Sequence, residues 1–328
     1  MGNKNYRWKK LIKKILILEG GFNEEHDVSL SSAKEVRKAI DALNYQSESI
    51  IVNPVDFSEK IKKHIDIDLC FNALHGPFGE DGLIQEILYR NKLNFTHSDS
   101  MASKKAFDKI LTKKSLQNTE ISFLKSIEIS KNNFNKDKLI YIFKKIGSFV
   151  LKPTSSGSSY GVTIIKDIDD LENFLDNIDG QSQLYKNHSK FMIEPFINGR
   201  ELTVAVYEEN SKSIPLEVTE IKTKNDFFDY KAKYSKGLSI HILPAQIPKK
   251  IYNDALKYAK IAHDSLGCKA ISRSDFIFDE FNQKLFFLEI NTQPGLTPLS
   301  LVPEQLNYNN INFIELIKKI IDSASCQK

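Results

Sequence analysis

Apolar positions along the chain keep two rhythms in turn. "KKILILEGG" (13–21) is a continuous apolar run closed by two glycines, the pattern of a buried strand ending in a turn. "SLSSAKEVRKAIDAL" follows with Ala33, Val36, Ile40 and Leu43 at helical spacing and serines suited to capping. "ESIIVNPV" and "DLCFNALHG" read as strands, and "GLIQEILYRN" as a short amphipathic helix. Strands alternating with helices predict a parallel α/β sheet with βαβ connections. Ligands of such sheets sit beyond the carboxyl ends of the strands. The loops "GGFNEEHDVS" and "HGPFGEDG" occupy that position.

The rhythm changes after residue 97. The pattern predicts a basic helix over "SMASKKAFDKILTKKSL", a strand in "ISFLKSIEIS" and a helix in "KDKLIYIFKKI". A strand–loop–strand, "FVLKPTSSGSSYGVTII", a helix in "DIDDLENFLDNI" and a strand in "KFMIEPFI" complete a small α+β unit. Two strands, "RELTVAVYEE" and "SIPLEVTEIK", precede the polar stretch "TKNDFFDYKAKYSKG". A long helix, "KKIYNDALKYAKIAHDSL", a strand pair within 270–295 and a closing helix, "NFIELIKKIIDSA", finish the chain. No internal repeat is visible.

The strand pair carries the strongest local signal. Side chains alternate faces along a strand. Arg273 and Asp275 then share one face, with Ser274, Phe276 and Phe278 on the other. On the second strand Glu289 and Asn291 share a face opposite Phe286, Leu288 and Ile290. If the faces match, Asp275, Glu289 and Asn291 stand together beside Arg273. Two carboxylates and an amide are hard oxygen donors of the kind that suit Mg²⁺. The same pattern also describes a solvated strand face with a salt bridge. The following "NTQPGLTPLS" offers a Pro-Gly turn whose N–H groups suit an anion.

Composition narrows the classes. The 328 residues are 41% hydrophobic and 27% charged, as in soluble globular proteins, and their length fits two or three domains. A net charge of +4 gives no support to a nucleic-acid partner. Cys70, Cys268 and Cys326 are scattered, without zinc or disulfide spacing, which fits a reducing cytoplasm. The basic N-terminus has too short an apolar run for a signal peptide, Tyr6 breaks a myristoylation pattern, and no run is long enough to span a membrane. In "KPTSSGSSYG" a lysine ends an apolar run at the mouth of a hydroxyl-rich loop. It is not a P-loop, because the Gly-Lys-Ser/Thr ending is missing and the loop joins two strands.

Eight stretches in order, "GGFNEEHDVSLSSA", "LHGPFGEDGLIQ", "MASKKAFDK", "LKPTSSGSSYGV", "EPFINGRELTV", "FFDYKAKY", "SRSDF" and "LEINTQPGLTPLSLVP", resemble the D-alanine–D-alanine ligase family of the ATP-grasp superfamily. They cover about Ile15 to Pro303. The resemblance implies a three-domain ATP-grasp fold of the α/β class. An N-terminal parallel α/β domain would span 1–97, a small central α+β domain 98–194, and a C-terminal α+β domain 195–328, with a mobile loop at about 222–240. It implies ATP-dependent joining of two D-alanines through a D-alanyl phosphate, for peptidoglycan synthesis. ATP and two Mg²⁺ ions, replaceable by Mn²⁺, are the implied cofactors, and a homodimer the implied assembly.

The residue roles come from the same resemblance. Glu25 matches the acid that binds the first D-alanine's ammonium, with Val28 and His75 at the same subsite. Lys109 and Lys152 match the phosphate-binding lysines. Glu194, Pro195, Ile197, Glu201, Phe227 and Leu288 match contacts to the adenosine end. Lys233 and Tyr234 match a Lys-Tyr pair on a closing loop, and Ser158 the serine bridging that tyrosine to Glu25. Asp275, Glu289 and Asn291 match the Mg²⁺ ligands. Arg273 and the Gly295 N–H match oxyanion donors, and Ser300 with the Leu301 N–H the second D-alanine's carboxylate site.

Glu86, His97 and Gln293 depart from the family pattern, the first two where glycine is usual. None matches a ligand or catalytic position. Two rival readings are a ligase making D-alanyl-D-serine or D-alanyl-D-lactate, and an ATP-binding regulator without catalysis. Tyr234, usually lacking in depsipeptide-forming relatives, favours the dipeptide, and the filled catalytic and metal positions favour an enzyme.

Overall fold

The computed structural model describes residues 14–64, 66–130, 136–177, 188–223 and 239–326. Three sheets organise them. The first is parallel and ordered β2-β1-β3, from β1 (Lys14–Gly20), β2 (Gln46–Val52) and β3 (Leu69–Asn72). α1 (His26–Ala42) connects the first two strands and buries Ala33, Val36 and Ile40 against Ile15, Ile17 and Phe71. On the opposite side, Leu16 and Leu18 pack with Phe57 of the short α2 (Phe57–Lys60) and with Ile84 and Leu88 of α3 (Leu83–Arg90).

The segment read as one basic helix is two. α4 (Ser100–Phe107) ends at Asp108, which has an extended backbone, and α5 (Lys109–Leu116) restarts beyond it. The Asp108 carboxylate accepts from the N–H groups of Ile110 and Leu111 at 2.9 Å each, so a capping side chain interrupts the apolar rhythm. The break turns Lys109 into the first residue of a helix.

The second sheet is antiparallel, ordered β4-β7-β5-β6, from β4 (Ile127–Ser130), β5 (Phe149–Pro153), β6 (Thr163–Ile165) and β7 (Lys190–Pro195). Only the last four residues of "ISFLKSIEIS" form strand. α6 (Lys136–Ile146) and α7 (Ile168–Asp176) cover this sheet through Leu139, Ile142, Leu171 and Phe174.

The third sheet is antiparallel, ordered β10-β9-β8-β11-β12. Its strands are β8 (Arg200–Glu209), β9 (Lys212–Thr223), β10 (Ser239–Ile242), β11 (Ile271–Asp279) and β12 (Lys284–Asn291). α8 (Lys249–Leu266) packs on it through Ile251, Ala255, Ala259 and Ala262, in a core that also takes Ala106 and Leu116. α9 (Leu301–Tyr308) and α10 (Phe313–Ser323) return toward the first sheet, where Ile317, Ile320 and Ile321 join the Ile15 core.

The β11–β12 ladder corrects the simple alternation. Arg273 pairs with Asn291 and Asp275 with Glu289, but the next pair is Phe276 with Phe287. Leu288 is therefore the extra residue of a β-bulge. The buried positions on β12 become Leu285, Phe287 and Ile290, while Phe286 and Leu288 leave the core.

His97 has a left-handed φ of 68°, which explains why glycine suits that position. Its ring is buried edge-on against Phe71, their centroids 5.5 Å apart. Glu86 forms an i,i+4 pair with Arg90 at 2.9 Å on α3.

Candidate active site

A cleft with two lobes lies where the three sheets meet. The first lobe runs between the second and third sheets. Val150, Lys152, Glu194, Pro195, Ile197 and Glu201 line it, and Leu288 and Glu289 form its floor. The second lobe opens toward the first sheet and is lined by Glu25, His75, Arg273, Asn291, Gly295 and Ser300. Lys109, Ser156, Asp275 and Glu289 line both, so the lobes share a wall. The bulge puts Leu288 and Glu289, neighbours in sequence, on the same side.

Opposite charges hold the shared wall. Lys109, only 6% exposed, lies 3.0 Å from Glu289 and donates to the Ser156 carbonyl at 2.9 Å. Its own N–H donates to the Thr154 carbonyl at 2.8 Å, and Ser155 donates to Asp108 at 3.1 Å. The N-terminus of α5 is thus stitched to the loop after β5. Arg273 donates to both oxygens of Asp275, at 3.0 and 2.9 Å, and Thr203 adds a bond at 2.6 Å. Asn291 Oδ1 accepts from the Gln293 N–H at 2.6 Å. Among the described residues no group of three or more His, Cys, Asp or Glu could hold a metal ion. The oxygen set here is two carboxylates and one amide, a composition that fits Mg²⁺ completed by phosphate oxygens and water.

In the first lobe Glu194 is 3% exposed and paired with two lysines, Lys113 and Lys152, the latter at 2.7 Å. Burial alone would raise its pKa; Lys152 and Lys113 outweigh that and hold it below the usual carboxylate range. Burial also lowers the Lys113 pKa, against the pull of Glu194. Lys113 carried no signal in the sequence beyond standing four residues after Lys109 in a lysine-rich helix.

In the second lobe Glu25 stands at the N-cap of α1, 7% exposed, its carboxylate accepting from the Ser158 hydroxyl. A Cβ at Gly76 would lie 2.6 Å, and one at Gly157 2.9 Å, from Glu25 Oε2. Both glycines are therefore required by close approach. Ser158 and Ser159 have φ values of 47° and 60°, so the loop bends sharply where it reaches across to the first sheet. His75 donates from Nδ1 to the Gln293 carbonyl at 3.0 Å and accepts at Nε2 from Ser32 at 2.9 Å. Burial disfavours its charged form, but Glu80, Glu25 and the Gln293 carbonyl prevail and raise its pKa. Gly295 faces Ser300, the N-cap of α9, whose hydroxyl accepts from the Thr297 N–H at 3.1 Å.

Of the residues singled out in the sequence, Val28 is buried in the first turn of α1 and lines neither lobe. Phe227, Lys233 and Tyr234 lie outside the described residues. The others converge on the cleft.

Known proteins share this architecture. The family model "D-ala D-ala ligase C-terminus" matches residues 114–322. A D-alanine–D-alanine ligase of Wolbachia sp. subsp. Drosophila simulans is 42% identical over 315 residues, 96% of this chain and 94% of the relative. The crystal structure of a D-alanine–D-alanine ligase from Bacillus anthracis is 29% identical with a TM-score of 0.78, covering 95% of this chain and 97% of that one. The same enzyme complexed with ATP is 27% identical with a TM-score of 0.76, at the same coverage. The chain belongs to the D-alanine–D-alanine ligase family.

Proposed function

We propose that this protein joins two D-alanines into D-alanyl-D-alanine at the expense of ATP, as a step toward peptidoglycan. The observation that carries this reading is the shared wall. Lys109, Asp275 and Glu289 border an apolar lobe suited to a nucleotide and a polar lobe suited to amino acids. A phosphoryl group placed there reaches both.

In this reading adenosine occupies the first lobe, between Ile197 and Leu288, with Glu194 and Glu201 as polar partners. Lys109 and Lys152 bind phosphate oxygens, because phosphoryl transfer depends on positioning and charge neutralisation. Asp275, Glu289 and Asn291 would hold Mg²⁺, which supplies further neutralisation of phosphate charge when bound. Glu25 binds the first D-alanine's ammonium, and the half-buried Ser158 contact orients that carboxylate. The second D-alanine's carboxylate lies at Ser300 and the N-terminus of α9, where N–H groups face an anion. The first D-alanine's carboxylate attacks the γ-phosphate of ATP, giving D-alanyl phosphate as ADP leaves. The second's amine then attacks the acyl carbon, Arg273 and the Gly295 N–H stabilise the oxyanion, and phosphate and the amine's proton depart as the amide forms. Lys233 and Tyr234 close the site against water, which would hydrolyse the acyl phosphate.

The deciding experiment supplies purified protein with ATP, Mg²⁺ and equal D-alanine, D-serine and D-lactate, and identifies products by mass spectrometry. D-alanyl-D-alanine with stoichiometric phosphate is expected. A mixed dipeptide or depsipeptide as main product would replace this reading with one of its rivals. ATP binding without turnover would make the protein a regulator.

A further inference from the structure

α5 carries two lysines one turn apart, and each reaches a different carboxylate of the cleft. Lys109, at the first helical position, pairs with Glu289. Lys113, four residues on, pairs with Glu194 and donates to the Leu124 carbonyl at 2.8 Å. Its ammonium also lies 5.9 Å from the centroid of the Phe123 ring. Lys113 lines neither lobe, whereas Lys109, Lys152 and Glu194 all line the first. Glu194 is thus gripped from the cleft side by Lys152 and from behind by Lys113.

This arrangement poses a charge problem for nucleotide binding. Each Lys152 N–H that bonds Glu194 is withheld from a phosphate. If Lys152 were the sole partner, its departure would leave a carboxylate buried and unpaired, which is strongly unfavourable. We propose that Lys113 is a positioning residue that holds Glu194 in its ionised, fixed orientation so that Lys152 can transfer from Glu194 to the ATP phosphates. Lys113 lines neither lobe and acts on the site through Glu194, while its bond to the Leu124 carbonyl anchors its own ammonium. The inference rests on the nucleotide assignment of the first lobe and adds a residue and an exchange of partners to it.

The test compares binding of ATP and of adenosine by calorimetry in the full chain. Lys113→Met is expected to weaken ATP binding at least roughly tenfold, since Lys152 is then retained by the buried carboxylate. Adenosine binding and the D-alanine KM should stay within about twofold, because Glu194 keeps one partner. Lys113→Arg should restore ATP affinity. In Lys113→Met/Glu194→Gln the carboxylate charge is gone and Lys152 is free, so the double variant should bind ATP as Glu194→Gln does alone, whatever that change costs at the adenosine contact. A general loss of packing would weaken adenosine and ATP alike and would not be repaired by the second substitution. Equal ATP affinity in Lys113→Met and wild type, or strictly additive losses in the double variant, overturns the proposal. Wild-type protein that binds ATP but releases no phosphate with D-alanine overturns the ligase reading alone. Wild-type protein that binds no ATP overturns both.

Discussion

Asp275 and Glu289 stand directly opposite each other on neighbouring strands, and the register breaks immediately beyond them. That break places Leu288 beside Glu289 in the first lobe and leaves Phe287 in the core. Leu288→Ala should therefore raise the KM for ATP several-fold with little change in Tm. Phe287→Ala should destabilise the fold by about 3–5 kcal/mol. Urea titrations of the two variants check this; a Leu288→Ala loss as large as that of Phe287→Ala would refute the bulged register.

Glu289 is also assigned to Mg²⁺. Glu289→Gln keeps the shape and removes the charge, so phosphate release should fall roughly 100-fold or more at saturating Mg²⁺. Circular dichroism should be unchanged. A near-normal rate would remove Glu289 from the metal site.

Two glycines around Glu25 separate crowding from backbone strain. Gly157→Ala brings a methyl within 2.9 Å of Glu25 Oε2 without a left-handed φ, and should raise the KM for D-alanine while sparing stability. Gly76→Ala adds both a 2.6 Å approach and a φ of 74°. It should raise the same KM and also cost about 1 kcal/mol of stability. Steady-state kinetics beside thermal melts distinguish the two. A Gly157→Ala variant with wild-type KM would contradict the packing of the Ser-Gly loop on Glu25.

Acid sensitivity should trace to two buried imidazoles. Burial pushes His97 down to about 3, and His263 down to about 4. Each is neutral in the fold and takes up a proton on unfolding below about pH 6.5. The unfolded state then binds more protons, so stability falls as pH drops from 6.5 toward the folded values. Between pH 7 and 5.5 each contributes about 1 kcal/mol to that fall. His97→Asn tolerates the left-handed backbone and does not titrate; its stability should vary less with pH by that amount. Chemical denaturation at the two pH values measures it, and an unchanged pH dependence would show that the fold does not depress the His97 pKa.

Much of the architecture was legible because long elements bury regular stripes. β1, α1, α8 and β11 follow their apolar periods. The juxtaposition of Asp275 and Glu289 was legible for the same reason, since both lie before the alternation fails. What escaped was non-periodic. A single unpaired residue redirected Phe286 and Leu288, and a capping carboxylate at Asp108 divided one basic helix into two. α9 was missed because its buried Leu301, Val302, Pro303 and Leu306 are too few to announce a helix. Lys113 escaped because a cation's value depends on a carboxylate 81 residues away.

The core around Ile15 and Ile17 is completed by Ile317, Ile320 and Ile321, and Phe95 exchanges backbone hydrogen bonds with Ser325 at 3.2 and 3.3 Å. During synthesis, then, the first sheet, complete at Asn72, emerges from the ribosome roughly 240 residues before the helix that seals it, which begins at Phe313. Contacts of such sequence separation form slowly, and exposed apolar strands invite association meanwhile. The part of the molecule made first is thereby finished last, and a nascent chain arrested before α10 holds the Glu25 loop on an unsealed support.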